Sequence, residues 1–244
     1  MLAIIGGSGL SRLSTLDIVR REVFRTPYGE PSGPIVFGRL CEGPVMFLAR
    51  HGFGHTIPPH MVNYRANLWA LREAGASGVL SVASVGGIRA DLVPGSLVVP
   101  HQILDYTWGR LHTFFDRNDE AVHHIDFTHP YDEALRRRIL ACAERAGEPM
   151  RDGAVYAATQ GPRLETAAEI DRLERDGADV VGMTGMPEAA LAREIQLPYA
   201  AINVVANYGA GRGDSAGGIA FESIEDVLHD AMARVRKVLE HICA

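Results

Sequence analysis

Three short segments carry residue types suited to holding an oxyanion, and each directly follows an apolar run. Gly6-Gly7-Ser8-Gly9 follows residues 2–5. Glycines let the backbone approach a ligand closely, and amides plus the Ser8 hydroxyl can hold phosphate oxygens. The same tetrad also reads as a tight strand-exit turn. Ala49-Arg50-His51-Gly52 follows residues 45–48. Arg50 supplies a planar fork of donors matched to phosphate, and His51 adds a donor beside it. The plainer alternative is a surface salt bridge. Val82-Ala83-Ser84-Val85-Gly86-Gly87 offers small residues, a hydroxyl and amides after a third apolar run. Open α/β sheets bind ligands at the carboxyl ends of their strands, and three such ends fit that rule, although three unrelated turns are physically allowed. A dinucleotide site fits poorly, because the GxGxxG spacing is absent after the first strand.

The elements that must position these ends are legible as short apolar runs alternating with helical periodicity. Strands are expected at 2–5, 35–37, 45–48, 78–83, 96–99, 154–157, 179–182 and 199–205. Several are continuous rather than alternating, as strands buried on both faces are. Helices are expected at 62–74, 132–146, 166–176, 187–194 and 224–242. Thr166 with Glu169 and Ser223 with Asp226 have capping-box spacing, Pro187 suits a first helical position, and Gly75, Gly147 and Gly177 suit positions just past helix ends. In the last helix Ile224, Val227, Leu228, Ala231, Val235, Val238, Leu239 and Ile242 form one apolar face. The interleaving predicts an α/β fold, a single domain over 1–244 with a mixed central sheet flanked by helices.

One stretch departs from this pattern. Between His101 and Pro130 lie Tyr106, Trp108, Phe114 and Phe115, with His112, His123, His124 and His129. A long irregular segment inside a compact domain is usually functional or at an interface, and a partner subunit could cover its aromatics. The histidines lack acidic or cysteine ligands at metal-site spacing, so no metal is expected.

Composition narrows the function classes. The formal net charge is −6, which disfavours a nucleic-acid-binding role while leaving a local anion pocket open. Cys41, Cys142 and Cys243 are odd in number and far apart, which fits reduced thiols. The chain shows no signal-peptide pattern and no apolar run long enough to span a bilayer. A cytoplasmic protein without membrane association is expected.

The segments Ile5-Gly6-Gly7-Ser8-Gly9-Leu10, Leu48-Ala49-Arg50-His51-Gly52, His55-Thr56-Ile57-Pro58-Pro59, Val62-Asn63-Tyr64-Arg65-Ala66-Asn67, Gln160-Gly161-Pro162-Arg163, Gly182-Met183-Thr184-Gly185-Met186-Pro187-Glu188 and Asn203-Val204-Val205-Ala206-Asn207-Tyr208 together resemble the trimeric nucleoside phosphorylase family. They occur in the family's order and cover nearly the whole chain. The resemblance implies a homotrimer, a partly barrel-like closure of the sheet, and phosphorolysis of a purine nucleoside with phosphate as co-substrate and no cofactor. It implies that Ser8, Arg50, His51, Ala83, Ser84 and Thr184 hold phosphate, with His51 as a donor rather than a general base. Met183 would pack on the ribose, Asn207 would face the purine, and His124 would approach a neighbouring subunit's ligand. Leu164 stands where the family often has a ring-stacking Phe.

Two departures from the methylthioadenosine-type members bear on the substrate. A 6-aminopurine presents an acceptor at N7 and a donor at N6, whereas a 6-oxopurine presents two acceptors. Asn207 and Gly209 stand where those members have Asp, and an Asn amide can give its NH2 to O6 and N7. By the resemblance, Ile224 and Val227 line the 5′ pocket; a buried hydroxyl without a partner there would cost roughly 1–3 kcal/mol, so an apolar pair favours a 5′-methylthio group. The expected substrate is 5′-methylthioinosine. Inosine or guanosine and methylthioadenosine are alternatives, as is a nucleoside-binding protein without turnover.

Overall fold

The computed structural model describes residues 1–10, 15–41, 43–116 and 121–243. The expected 101–130 segment therefore lies partly outside the described residues. Among the described residues, eleven strands form one mixed sheet. Its spine runs β2 (Asp17–Glu22), β3 (Ile35–Leu40), β4 (Gly43–Ala49), β1 (Leu2–Gly6), β5 (Gly78–Gly87), β10 (Val180–Gly182), β9 (Val155–Ala158) and β7 (Gln102–Asp105). A branch of β11 (Tyr199–Tyr208), β6 (Leu97–Val99) and β8 (Arg151–Asp152) leaves from β5.

The branch follows from strand length. A strand has two hydrogen-bonding edges. β11 pairs with β5 from Val79 to Gly87 along one edge. β1 takes Gly78–Val82 of the other edge, and β10 pairs antiparallel at Gly86 and Gly87 farther along. The sheet thus forks at β5. No pairing joins its ends among the described residues, so the expected partly barrel-like closure is corrected to an open, branched sheet.

Helices cover both faces. α1 (Tyr64–Glu73) and α4 (Gly185–Glu194) pack Leu68, Leu71, Ala189 and Leu191 against one side. α2 (Glu133–Arg145) and α5 (Phe221–Cys243) pack Leu135, Ile139, Leu228, Val235, Val238 and Leu239 against the other. Burial from both sides is why the central strands read as continuous apolar runs. α3 (Ala167–Arg175) seats Ile170 and Leu173 in a separate small cluster. Thr166 closes its start with a complete capping box, and Gly177 takes φ 92° just beyond its end, where a left-handed residue without a Cβ is unstrained. Regular helical geometry in α4 begins at Pro187, since Met186 has φ −121° and ψ 140°. α5 starts at Phe221, so Ser223 lies inside the helix and is not its cap.

Candidate active site

Strand register brings the three anion-suited segments level. Gly6 lies opposite Ala49 on β4 and opposite Val82 on β5, all in parallel strands. Gly7-Ser8 and Arg50-His51 therefore leave adjacent carboxyl ends, level with Ala83-Ser84, which lie inside β5 because that strand runs on to Gly87 rather than turning at Ala83. The Arg50 amide donates to the Gly6 carbonyl at 2.9 Å, which ties two of the ends. Gly7 must be glycine: a Cβ there would stand 2.7 Å from Arg50 Nη1 and 2.7 Å from the Val82 carbonyl oxygen.

These ends open into a cavity of about 450 Å³, within the size range of small-molecule sites. Its wall includes Ser8, Arg50, His51, Ala83, Ser84 and Thr184, and also Met183, Leu164 and Asn207. Nine of the expected site residues thus share one space, the Arg50-His51 pair and Asn207 among them. Three do not join them. Ile224 packs half-buried against the core beneath α5, Val227 is half-buried one turn on, and neither lines the cavity. Ile219, just before α5, lines it instead, so the apolar pair expected around the 5′ group is corrected. His124 is exposed and outside the cavity wall.

Arg50 is fully buried, and most of its fork is occupied. Its Nε and Nη2 donate to the two Glu188 oxygens at 2.8 and 3.0 Å, Nη2 also to Ser81 Oγ at 2.6 Å, and Nη1 to the Val82 carbonyl at 3.1 Å. One N–H on Nη1 is left. Burial opposes the charge, but Glu188 more than offsets it and holds the guanidinium above its ordinary range. The expected planar grip on phosphate is thereby reduced to a single N–H beside Gly7. Tyr199 also donates its hydroxyl to Glu188 at 2.8 Å, and burial pushes that phenol well up.

His51 is buried and sits in a closed loop. The Thr56 and Ile57 amides donate to the His51 carbonyl at 3.0 and 3.2 Å, and His51 Nδ1 lies 2.8 Å from the Ile57 carbonyl. Burial first, and the Arg50 charge second, lower its imidazole from 6.5 to about 4. Ser8 Oγ stands 3.5 Å from His55 Nε2. Thr184 is buried at the start of α4, where its amide donates to the Tyr156 hydroxyl at 3.1 Å.

Asn207 is aimed by a bulge. Val205 faces Val85 and Asn207 faces Gly86, so Ala206 is an extra residue on β11, and bulges re-aim the side chains at strand ends. Asn207 Nδ2 donates to the Tyr208 carbonyl at 2.6 Å. One N–H and Oδ1 remain for a ligand, fewer than the two N–H groups expected from the sequence.

Two contributors carried no assigned role in the sequence. Glu165 lines the cavity, and Thr159 donates to its Oε1 at 2.7 Å. Arg110 is buried and donates to the Thr159, Gln160, Met183 and Met186 carbonyls and to Gln160 Oε1. It fastens together the two loops that supply Leu164, Glu165, Met183 and Thr184. Glu165 was readable as a carboxylate beside Leu164, but Arg110 gave no signal, since its partners are carbonyl oxygens and the Tyr64 hydroxyl rather than an acidic side chain. The aromatic segment around Arg110 is divided: Phe114 packs edge-on with Tyr28, with ring centroids 5.0 Å apart, while Trp108 stays exposed. Phe114 is covered by its own chain and needs no partner.

Comparison with known proteins gives one family. The model of the phosphorylase superfamily matches residues 1–244. A probable S-methyl-5′-thioinosine phosphorylase of Pseudomonas syringae pv. tomato is 54% identical over 98% of this chain and 97% of its own. A 6-oxopurine nucleoside phosphorylase of Pyrococcus furiosus is 44% identical over 86% of this chain and 80% of its own. Among solved structures, methylthioadenosine phosphorylase from Schistosoma mansoni in complex with adenine superposes with a TM-score of 0.93 at 31% identity, covering 99% of this chain and 90% of that one.

Proposed function

The chain belongs to the phosphorylase superfamily, and we propose that it uses inorganic phosphate to split a 6-oxopurine nucleoside, with S-methyl-5′-thioinosine as its substrate. The observation that carries this reading is the shared cavity: oxyanion-suited groups just past β1 and β4 and within β5, and purine-suited groups at Asn207 and Glu165, line one space.

The two ends divide the chemistry. Phosphate attacks C1′ from the face opposite the base, and the glycosidic bond lengthens. Positive charge gathers on the sugar and negative charge on the purine. Proximity and pre-arranged dipoles do most of this work. Arg50, Ser8, Ser84 and Thr184 hold the nucleophile, and Met183 packs beside the sugar. The free Asn207 N–H meets O6 as charge builds on the departing base. Glu165 adds base discrimination: a 6-oxopurine carries a proton on N1, which a carboxylate accepts, whereas a 6-aminopurine presents a lone pair there and would be repelled. The overall fold is shared with a methylthioadenosine enzyme, so base preference rests on these two side chains rather than on topology.

The 5′-methylthio assignment is supported by relatives named for that substrate and by apolar cavity residues Ile57, Pro59 and Ile219. Phosphate is a co-substrate and no cofactor is required. Exposed Trp108, Leu111 and Val122 favour burial against further copies of the chain in a homotrimer, with His124 near that surface. No helix among the described residues is long and apolar enough to cross a membrane, and a cytoplasmic salvage enzyme fits this.

The test is a panel of methylthioinosine, inosine, methylthioadenosine and adenosine, each with and without phosphate. Phosphate-dependent release of hypoxanthine, fastest from methylthioinosine, is the expected result. Release independent of phosphate, or adenine released faster than hypoxanthine, overturns the reading.

A further inference from the structure

The phosphate end of the cavity contains one group whose polarity is fixed by its own loop. His51 Nδ1 lies 2.8 Å from the Ile57 carbonyl oxygen. A carbonyl has no hydrogen to give, so Nδ1 is the donor and carries the ring proton. The contact is not adjustable, because the His51 carbonyl receives the Thr56 and Ile57 amides and closes the same loop. A second proton, on Nε2, would place a cation in a buried position next to Arg50. The other titratable groups around the ring are His55, with ring centroids 4.8 Å apart, and Glu188. Glu188 is already engaged by Arg50 and Tyr199. Without an anion in the site, burial first and Arg50 second hold the ring well below its ordinary range.

We propose that His51 meets the oxyanion through Nε2 as a hydrogen-bond acceptor, so that this site selects an anion that still bears a proton. The inference rests on the phosphorolysis reading and reverses the donor role expected of His51. Inorganic phosphate at neutral pH retains at least one P–OH, which can donate to Nε2. Its deprotonated oxygens are left for the Ser8, Ser84 and Thr184 hydroxyls and the single Arg50 N–H. Sulfate has the same size and shape but no proton. Against sulfate the His51 lone pair faces an oxygen lone pair, and neither group finds a partner.

The experiment uses the full-length protein and two probes, phosphate and sulfate, titrated by calorimetry against the wild type and His51→Gln. Phosphate-dependent release of hypoxanthine is measured first on the wild type; its absence sinks the phosphorolysis reading, whatever the anion affinities. With that release present, the wild type is expected to bind phosphate roughly 10- to 100-fold more tightly than sulfate, the effect of one hydrogen bond to a charged group. In His51→Gln the gap narrows, because the carboxamide can turn its NH2 to sulfate. Equal wild-type affinities for the two anions, or a variant that keeps the full gap, overturn the proposal. Long-range 1H–15N spectra of labelled wild type with phosphate bound give a second readout that needs no variant: His51 Nε2 must appear unprotonated at pH 7, and a protonated Nε2 refutes the acceptor role.

Discussion

Replacing Glu188 by Gln removes one charge from a buried pair whose arginine borders the cavity. Both side chains are 0% exposed. The carboxylate accepts two N–H groups from Arg50, at 2.8 and 3.0 Å, and the Tyr199 hydroxyl at 2.8 Å. In the Gln variant one of the two Arg50 bonds would meet an NH2, donor against donor. The guanidinium would keep only Ser81 Oγ, the Val82 carbonyl and one amide oxygen while remaining buried. Removing one partner of a buried pair costs about 3–5 kcal/mol, a large part of the roughly 5–15 kcal/mol by which a domain is stable. Urea denaturation without phosphate, followed by far-UV circular dichroism, measures that loss. The source of the loss is tested by the double variant Arg50→Met with Glu188→Gln. Removing both charges leaves no unpaired buried charge, so the double variant should be more stable than the sum of the singles predicts by about 1–3 kcal/mol. A single-variant loss below about 1 kcal/mol, or strict additivity, would refute the claim that Glu188 is the counter-charge of Arg50. Activity supplies a separate check. The Arg50 N–H left for phosphate is aimed by this clamp, and displacement of a positioning group by about 1 Å can cost 10²-fold; folded Glu188→Gln with undiminished turnover would show that the aim is set elsewhere.

Three further outcomes are expected at the purine end and at His51. Asn207→Asp should move base preference toward 6-aminopurines, since a protonated carboxyl donates to N7 and accepts from N6; unchanged hypoxanthine-to-adenine rate ratios would contradict this. Glu165→Gln should lower kcat/KM for methylthioinosine by roughly 10-fold, the effect of losing one charge-assisted bond, while leaving phosphate affinity unaltered; a drop in phosphate affinity would place Glu165 at the other end of the cavity. For acid stability the sign is fixed by the direction of the His51 shift. Its native value of about 4 lies below the ordinary 6.5, so the unfolded chain takes up a proton first as pH falls. Stability from keeping His51 neutral is therefore present above 6.5 and is lost on descent toward 4. Urea stability of the wild type should fall more steeply across that window than that of His51→Gln, and parallel slopes would count against it.

How much a sequence reveals depends on how far apart the interacting partners are along the chain. All eight expected strands exist because each is an apolar run buried on both faces. The three unforeseen ones lack such a run: β2 is exposed along its whole length, β7 is a partly exposed edge, and β8 has two residues. The oxyanion end was readable because parallel register alone brings Gly7, Arg50 and Ala83 level. The occupation of Arg50 was not readable, since Glu188 is 138 residues away and burial, not spacing, decides whether a guanidinium serves a ligand or a carboxylate. The periodicity of α5 identifies a face that must be buried, but periodicity cannot tell a helix face packed on the core from one lining a cavity. It was the resemblance that placed Ile224 and Val227 at the 5′ pocket, while Ile219, before the helix begins, lines the cavity. Asn207 shows the same limit within one strand. Strict alternation continues Asn203, Val205, Asn207 along one face of β11. The register slips after Val205, and the last of these three side chains lines the cavity while Asn203 remains buried without a partner for either amide atom. Two asparagines on one strand therefore differ in chemistry because of one inserted alanine, and moving that insertion would exchange a ligand-facing amide for a buried one without altering composition or hydrophobic pattern.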